Sequence, residues 1–246
     1  VVETMRAALE GRVRGMFMMG ENPFLSDPNT NKVRKALAHL EFLAVQDIFL
    51  TETAEFADVI LPATSFLEKT GTVTNTDRRV QIGRKVLEPP GEARPDWEVL
   101  CDLATRLGYP MHYRSPEEVF DEFANLTTSY QGLTYDRLGR TGKLWPCPDP
   151  DHSDGLAVLF SDAFPTPSRR GKFVPCRLAP AKELPDADYP LVLNTGRLLE
   201  HWHTGTMTRR AHALDTLQPA PFVEVHPDDL ARLGIGDGAV VTVRSR

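Results

Sequence analysis

The sequence predicts an α/β fold, with a parallel sheet near its start and a strand-rich module near its end. Three observations carry this. Short apolar runs alternate with helical periodicities as far as Pro62, the pattern of right-handed β-α-β units around a parallel sheet. Periodicity is lost in a stretch rich in Pro, Gly and Asp from Leu133 to about Pro185. From Tyr189 onward, β-type runs return.

Taken in order, residues 2–10 read as a helix, because Met5, Ala8 and Leu9 share one face. Gly15-Met16-Phe17-Met18-Met19-Gly20 is an apolar run bounded by glycines, expected to be a strand buried on both faces. Asn29 or Thr30 can cap a helix through Val33, Ala36, Leu37 and Leu40. Residues 41–45 form a second buried strand that ends at Gln46-Asp47. A short helix is expected over 51–57 and a third strand over 58–62. Segments 73–75 and 79–82 look extended around a turn. Residues 96–107 form an amphipathic helix closed by Gly108. Ser115-Pro116-Glu117-Glu118 starts the next, with Ser115 as cap, Pro116 in the first helical position and Glu118 completing a capping box. Gly171-Lys172-Phe173-Val174 is a candidate short strand within the irregular connector. Further strands are expected at 191–194, 222–225 and 239–243, with a helix over 227–233 and a tight turn at Gly236-Asp237-Gly238.

Composition narrows the function classes. Of 246 residues, 41% are hydrophobic and 25% charged, ordinary for a soluble globular chain. The net charge of −6 argues against a generic nucleic-acid or anionic-membrane binder. No apolar run approaches the ~18 residues of a membrane span, and no leader is expected. Three cysteines exclude a disulfide scaffold and a four-thiolate metal site. Cys101 falls on an apolar helix face, while Cys147 and Cys176 read as small buried hydrophobes. The chain opens at Val1 already inside a helical pattern, so a fragment or processed chain is expected.

Four segments could carry chemistry. Gly20-Glu21-Asn22-Pro23 follows a strand, where open α/β sheets place ligands and backbone N–H groups accept phosphates; a plain turn is the alternative. Asp47, with Gln46, ends the next strand, where a carboxylate can accept from a ribose diol or a guanine N–H edge. Thr51 would lie one helical turn further on the same face. Asp47 could equally cap a helix. Glu68-Lys69-Thr70-Gly71 and Asn75-Thr76-Asp77-Arg78-Arg79 suggest an anion rim or a solvated hairpin. Residues 194–210 pack Gly, Thr, two His, Trp and three Arg into one loop that core packing cannot explain. Its hydroxyls, guanidinium forks and freed backbone N–H groups suit a large anionic ligand. His201 and His203 have no accompanying cluster of metal ligands.

Together these segments resemble the catalytic subunit of formate dehydrogenase, within the molybdopterin oxidoreductase family. The resemblance runs through Gly20-Glu21-Asn22-Pro23, Val45-Gln46-Asp47-Ile48-Phe49-Leu50-Thr51, Ala57-Asp58-Val59-Ile60-Leu61-Pro62 and Gly71-Thr72-Val73-Thr74-Asn75. It continues in Arg78-Arg79-Val80-Gln81 and Leu107-Gly108-Tyr109-Pro110-Met111. Residues 195–210 look like the family's pterin-binding loop, and 225–238 like the opening of its C-terminal double-psi barrel.

The resemblance implies a Rossmann-like dinucleotide-binding domain followed by an incomplete double-psi β-barrel. The corresponding divisions are residues 1–132, a connector at 133–185, and a truncated barrel domain at 186–246. It implies bis-molybdopterin guanine dinucleotide carrying Mo or W. One guanine dinucleotide would be held by Gly20, Glu21, Asn22, Gln46, Asp47 and Thr51, with Asp47 reading the guanosine. Lys69 and Asp96 match positions that contact the cofactor in related enzymes, and Asp77 is a further candidate. Thr195, Gly196, Arg197, Glu200, His201, Trp202, His203 and Thr204 would line the pterin loop. The family's [4Fe–4S] cysteines, its metal-ligating Cys or selenocysteine with an adjacent His, and its distant Arg near formate have no match here. The resemblance therefore implies the C-terminal half of a catalytic subunit, cut at both ends and inactive alone. Its expected partners are the rest of that subunit and an electron-transfer subunit, in the cytoplasm. A nitrate reductase of the same family, or a non-catalytic nucleotide-binding module, remain alternatives.

Overall fold

Helix α1 (Val2–Leu9) and helix α3 (Thr30–His39) set their apolar stripes against one sheet, because Met5, Ala8, Val33, Ala36 and Leu37 all point to one side. That sheet contains β1 (Gly15–Met19), β2 (Phe42–Asp47) and β3 (Val59–Pro62), parallel and in the order β1-β2-β3. Its register places Met19 beside Gln46 and Asp47 beside Pro62. A computed structural model describes residues 2–151 and 154–245.

Only β2 is well buried, and this corrects the expectation for β1. The central strand has neighbours on both sides. β1 is an edge strand, and Phe17 and Met19 remain 38% and 43% exposed. The helix expected over 51–57 contracts to a 3₁₀ turn, Ala54–Phe56. Between β1 and α3 lies a single helical turn, α2 (Pro23–Ser26).

An antiparallel sheet follows, with order β4 (Gly71–Thr74), β5 (Arg79–Gly83) and β6 (Lys143–Leu144). Around it stand α4 (Asp96–Arg106), α5 (Pro116–Leu126) and α6 (Tyr135–Leu138). Val80, Phe120, Ala124, Leu133, Leu138 and Cys147 form its core. The α5 cap is close to expectation: Ser115 Oγ accepts from Glu118 N–H. The return leg differs, because Glu118 accepts from the Arg114 N–H instead of that of Ser115. The guanidinium of Arg114 also binds this carboxylate and draws it one residue upstream.

The chain divides into two compact units, Val1–Lys172 and Phe173–Arg246. Part of the expected irregular connector therefore carries α6 and β6 within the first unit. No strand forms at 171–174, where Phe173 is fully exposed. Cys176 is exposed as well, contrary to expectation, because this extended stretch has no covering layer.

The second unit contains a 3₁₀ turn (Thr208–Arg210), α7 (His212–Leu217) and α8 (Pro227–Leu233). The strands expected at 191–194, 222–225 and 239–243 form no ladder among the described residues. Val192 and Val240 are 75% and 101% exposed. β propensity alone does not make a strand; a ladder needs a hydrogen-bonding neighbour and a face to bury. No helix among the described residues is long and apolar enough to cross a membrane.

Candidate cofactor-binding site

The parallel sheet directs the loops after β1 and β2 to one edge, where α/β sheets place ligands. Gly20 leaves β1 with φ +65°, and its N–H donates to the Gln46 carbonyl at 2.9 Å. A Cβ at Gly20 would meet nothing within 4 Å, so a ligand can approach this backbone closely. Glu21 is exposed.

Asn22 behaves differently. It is buried, and its Oδ1 accepts from the Thr53 hydroxyl at 2.7 Å and the Thr53 N–H at 3.3 Å. Its Nδ2 donates to Glu52 at 2.9 Å. The Thr53 oxygen in turn accepts from the Phe24 N–H at 3.1 Å. Asn22 thus fastens the first loop to the second. Thr53 and Glu52 escaped the sequence reading, since nothing in Thr51-Glu52-Thr53 reveals a partner some thirty residues away.

Asp47 stands at the end of β2. Its Oδ1 accepts from its own turn, from the Ile48 N–H at 2.7 Å and the Phe49 N–H at 3.3 Å. Asp47 therefore caps no helix, since none follows it directly; Oδ1 closes its own turn, and Oδ2 takes no part in these bonds. Thr51 does not share a face with Asp47, because no helix connects them. It is 1% exposed, and its hydroxyl accepts from the Ala54 N–H at the start of the 3₁₀ turn.

Gln46, Lys69 and Asp96 come together from three separate segments. Gln46 is completely buried, and its Nε2 donates to Asp96 Oδ1 at 2.8 Å. Lys69 Nζ donates to Asp96 Oδ2 at 2.5 Å, with both side chains about 30% exposed. Asp96 is the first residue of α4, where the helix dipole favours a carboxylate. A cavity of about 340 Å³ opens beside the pair, walled by Gly71, Trp97, Phe120 and Tyr135. Asp77 does not join this group. It sits in the β4–β5 turn, 60% exposed, and bonds the N–H and guanidinium of Arg79.

In the second unit, Thr195, Gly196, Arg197, Trp202, His203 and Thr204 are exposed and Glu200 is partly so. His201 is buried at 8% exposure. Its Nε2 donates to the Gln218 carbonyl at 2.7 Å, and its Nδ1 lies at hydrogen-bond distance, 3.2 Å, from Thr208 Oγ1. Thr208 Oγ1 also accepts from the Trp202 N–H at 3.0 Å. His201 is therefore an internal tether that leaves the Trp202–His203 pair facing outward, edge to face at 4.6 Å. Among the described residues no group of three His, Cys, Asp or Glu side chains could hold a metal ion.

Residues 1–106 match the molybdopterin oxidoreductase family, and residues 191–246 match the molydopterin dinucleotide binding domain. In these two segments the chain is similar to molybdopterin oxidoreductases. Both expected contact regions fall inside the matched segments. The chain is 50% identical over 95% of its length to the F420-dependent formate dehydrogenase subunit alpha of Methanocaldococcus jannaschii. It is 41% identical to formate dehydrogenase H of Escherichia coli over its whole length. It is also 41% identical to the assimilatory nitrate reductase catalytic subunit of Bacillus subtilis, over 99% of its length. It spans 35% of the length of each. Acetylene hydratase from Pelobacter acetylenicus shares the fold, with a TM-score of 0.59 over 96% of this chain, 34% of the hydratase chain and 19% identity.

Proposed function

We propose that this chain is the C-terminal portion of the catalytic subunit of a formate dehydrogenase. Its own share of the work is to hold bis-molybdopterin guanine dinucleotide carrying Mo or W. The observation that carries this reading is 50% identity to a formate dehydrogenase alpha subunit across nearly the whole chain. The residues at the site suit the group. Gly20 offers an unobstructed backbone, Asp47 Oδ2 is open to a guanine N–H edge, and Arg197 is exposed for phosphate.

When bound, the metal and its pterin dithiolenes supply the two-electron chemistry that takes formate to CO₂ and a proton. The chain's residues bind and orient. Gly20, Glu21, Asp47, Lys69 and Asp96 face the first dinucleotide, while Asn22, Gln46 and Thr51 support them from the interior. Thr195, Gly196, Arg197, Glu200, Trp202, His203 and Thr204 line the pterin loop on the His201 tether. Asp77 serves the rim only through the Arg79 turn. In this reading 1–132 is the α/β domain, 133–185 the connector and 186–246 the opening of a double-psi barrel. The metal-ligating residue, the formate-binding residues and the [4Fe–4S] cysteines lie elsewhere in the subunit, so the 246-residue chain alone oxidises no formate. An electron-transfer subunit and a cytoplasmic location complete the proposal.

The nitrate reductase relative, as similar as the E. coli formate dehydrogenase, supports a second reading in which the parent reduces nitrate. Assaying the full-length subunit with formate and with nitrate separates the two. Titrating GDP into the chain by calorimetry tests the site itself. Saturable binding, lost in Asp47→Ala, is expected; no binding by the wild type would overturn it.

A further inference from the structure

Gln46 is the one expected contact residue that is fully buried while bonded to another. With no accessible surface, it cannot touch a ligand on the sheet edge. Its Nε2–H spends its hydrogen bond on Asp96 Oδ1, and its own Oε1 has no partner among the described residues although it is buried. Leaving a buried carbonyl oxygen unpaired is costly, so the orientation of this amide is set by what its other end does. The opposite amide flip would put oxygen against the Asp96 carboxylate, which that charge forbids. Asp96 therefore decides how Gln46 lies, and Gln46 in return fixes one oxygen of Asp96. Lys69 holds the second oxygen. Each carboxylate oxygen keeps a lone pair for a further donor, so Asp96 is held in place and still able to accept.

We propose that Gln46 is a positioning residue for dinucleotide binding: it acts only through Asp96, by fixing the carboxylate that Lys69 shares. The inference rests on the cofactor-binding reading above. It makes the β2 end and the α4 start, fifty residues apart, one unit of the site.

The test is a double-mutant cycle on the full chain, with GDP as probe in calorimetry. Gln46→Met keeps the volume and removes the donor. Gln46→Asn keeps an amide too short to reach Asp96, which guards against a fold-specific failure of the methionine variant. Each is expected to weaken GDP about tenfold, the scale of one hydrogen bond to a charged acceptor. In an Asp96→Asn background, the same substitutions should add less than about twofold. A second readout needs no ligand. Acylation of Lys69, followed by peptide mass spectrometry, should accelerate several-fold in both Gln46 variants, because the Asp96 partner is no longer fixed. Full additivity of Gln46→Met with Asp96→Asn, or an unchanged Lys69 rate, would overturn the inference. So would wild-type affinity in Gln46→Met beside weakened affinity in Asp96→Asn, and that result would leave the cofactor reading standing. No GDP binding by the wild type would overturn both.

Discussion

The Thr53 hydroxyl donates to the Asn22 carboxamide oxygen across 2.7 Å and so joins the loop after β1 to the loop after β2. Asn22→Ala would leave the buried Thr53 hydroxyl and N–H without their acceptor, and Glu52 without the amide donor. Each buried polar group left unsatisfied costs on the order of 1–3 kcal/mol. The expected loss is about 2 kcal/mol or more in urea unfolding, with Glu21→Ala, an exposed neighbour, as the unaffected control. Equal midpoints for the two variants would show that the loops are held by something else.

Acidification should act on the start of α5 through Glu118. The side chain of Arg114, and then its backbone N–H, hold this carboxylate below its ordinary value of 4.5. A depressed folded value means that the stabilisation is present above the ordinary value and is lost as pH falls through the folded one. The melting-temperature gap between wild type and Glu118→Gln should be widest near neutrality and should close below the carboxylate range. Ser115→Ala, which removes only the neutral cap, should cost about 1 kcal/mol at every pH.

At the alkaline end, Tyr113 donates to Glu122 Oε2 at 2.6 Å, and this bond pushes the phenol up to about 12. A raised folded value means that the contribution is complete below the ordinary 10.0 and disappears as pH rises through about 12. Beside Tyr135, whose phenol burial also raises, ultraviolet titration of the five tyrosines should show a late step from Tyr113. That late step should move back toward the ordinary range in Glu122→Ala. An unchanged titration curve would remove the hydrogen bond from the account.

What could be read in the sequence was local. The Ser115 cap is encoded within four residues, and Asn29 takes the Lys32 N–H just as its position predicts. The strand ends at Gly20 and Asp47 were also legible, because apolar runs stop there. The bonds that join the candidate residues were not. Gln46 to Asp96 and Lys69 to Asp96 span 50 and 27 residues, and such pairings depend on how α4 packs, which periodicity does not encode. Arg78 is a similar case. Its guanidinium binds the carbonyls of Trp145, Leu156 and Ala157, a clamp invisible in Asp77-Arg78-Arg79. Burial misled as well: Asn22 and Thr51 have the chemistry of contact residues but lie inside. At 239–243 the residues favour a strand, yet no neighbour among the described residues completes one.

The 194–210 segment turns on Gly205, which is buried with φ +77°. A Cβ there would stand 2.7 Å from Arg209 Cγ and 2.9 Å from its Cδ. Arg209 cannot easily give way, since its guanidinium donates to the Pro219 carbonyl at 2.9 Å and pairs with Asp215 at 3.2 Å. Gly205→Ala therefore combines left-handed strain with displacement of an anchored side chain, together about 1–2 kcal/mol. That magnitude raises the open population of the loop roughly 5- to 30-fold, and cleavage of a rapidly reclosing segment follows that population. Trypsin should cut after Arg209 and Arg210 faster by a similar factor. Gly196→Ala, in open space, should cut at the wild-type rate. If both variants are cleaved like wild type, Gly205 does not brace the loop, and the outward placement of Trp202 and His203 must rest on the His201 tether alone.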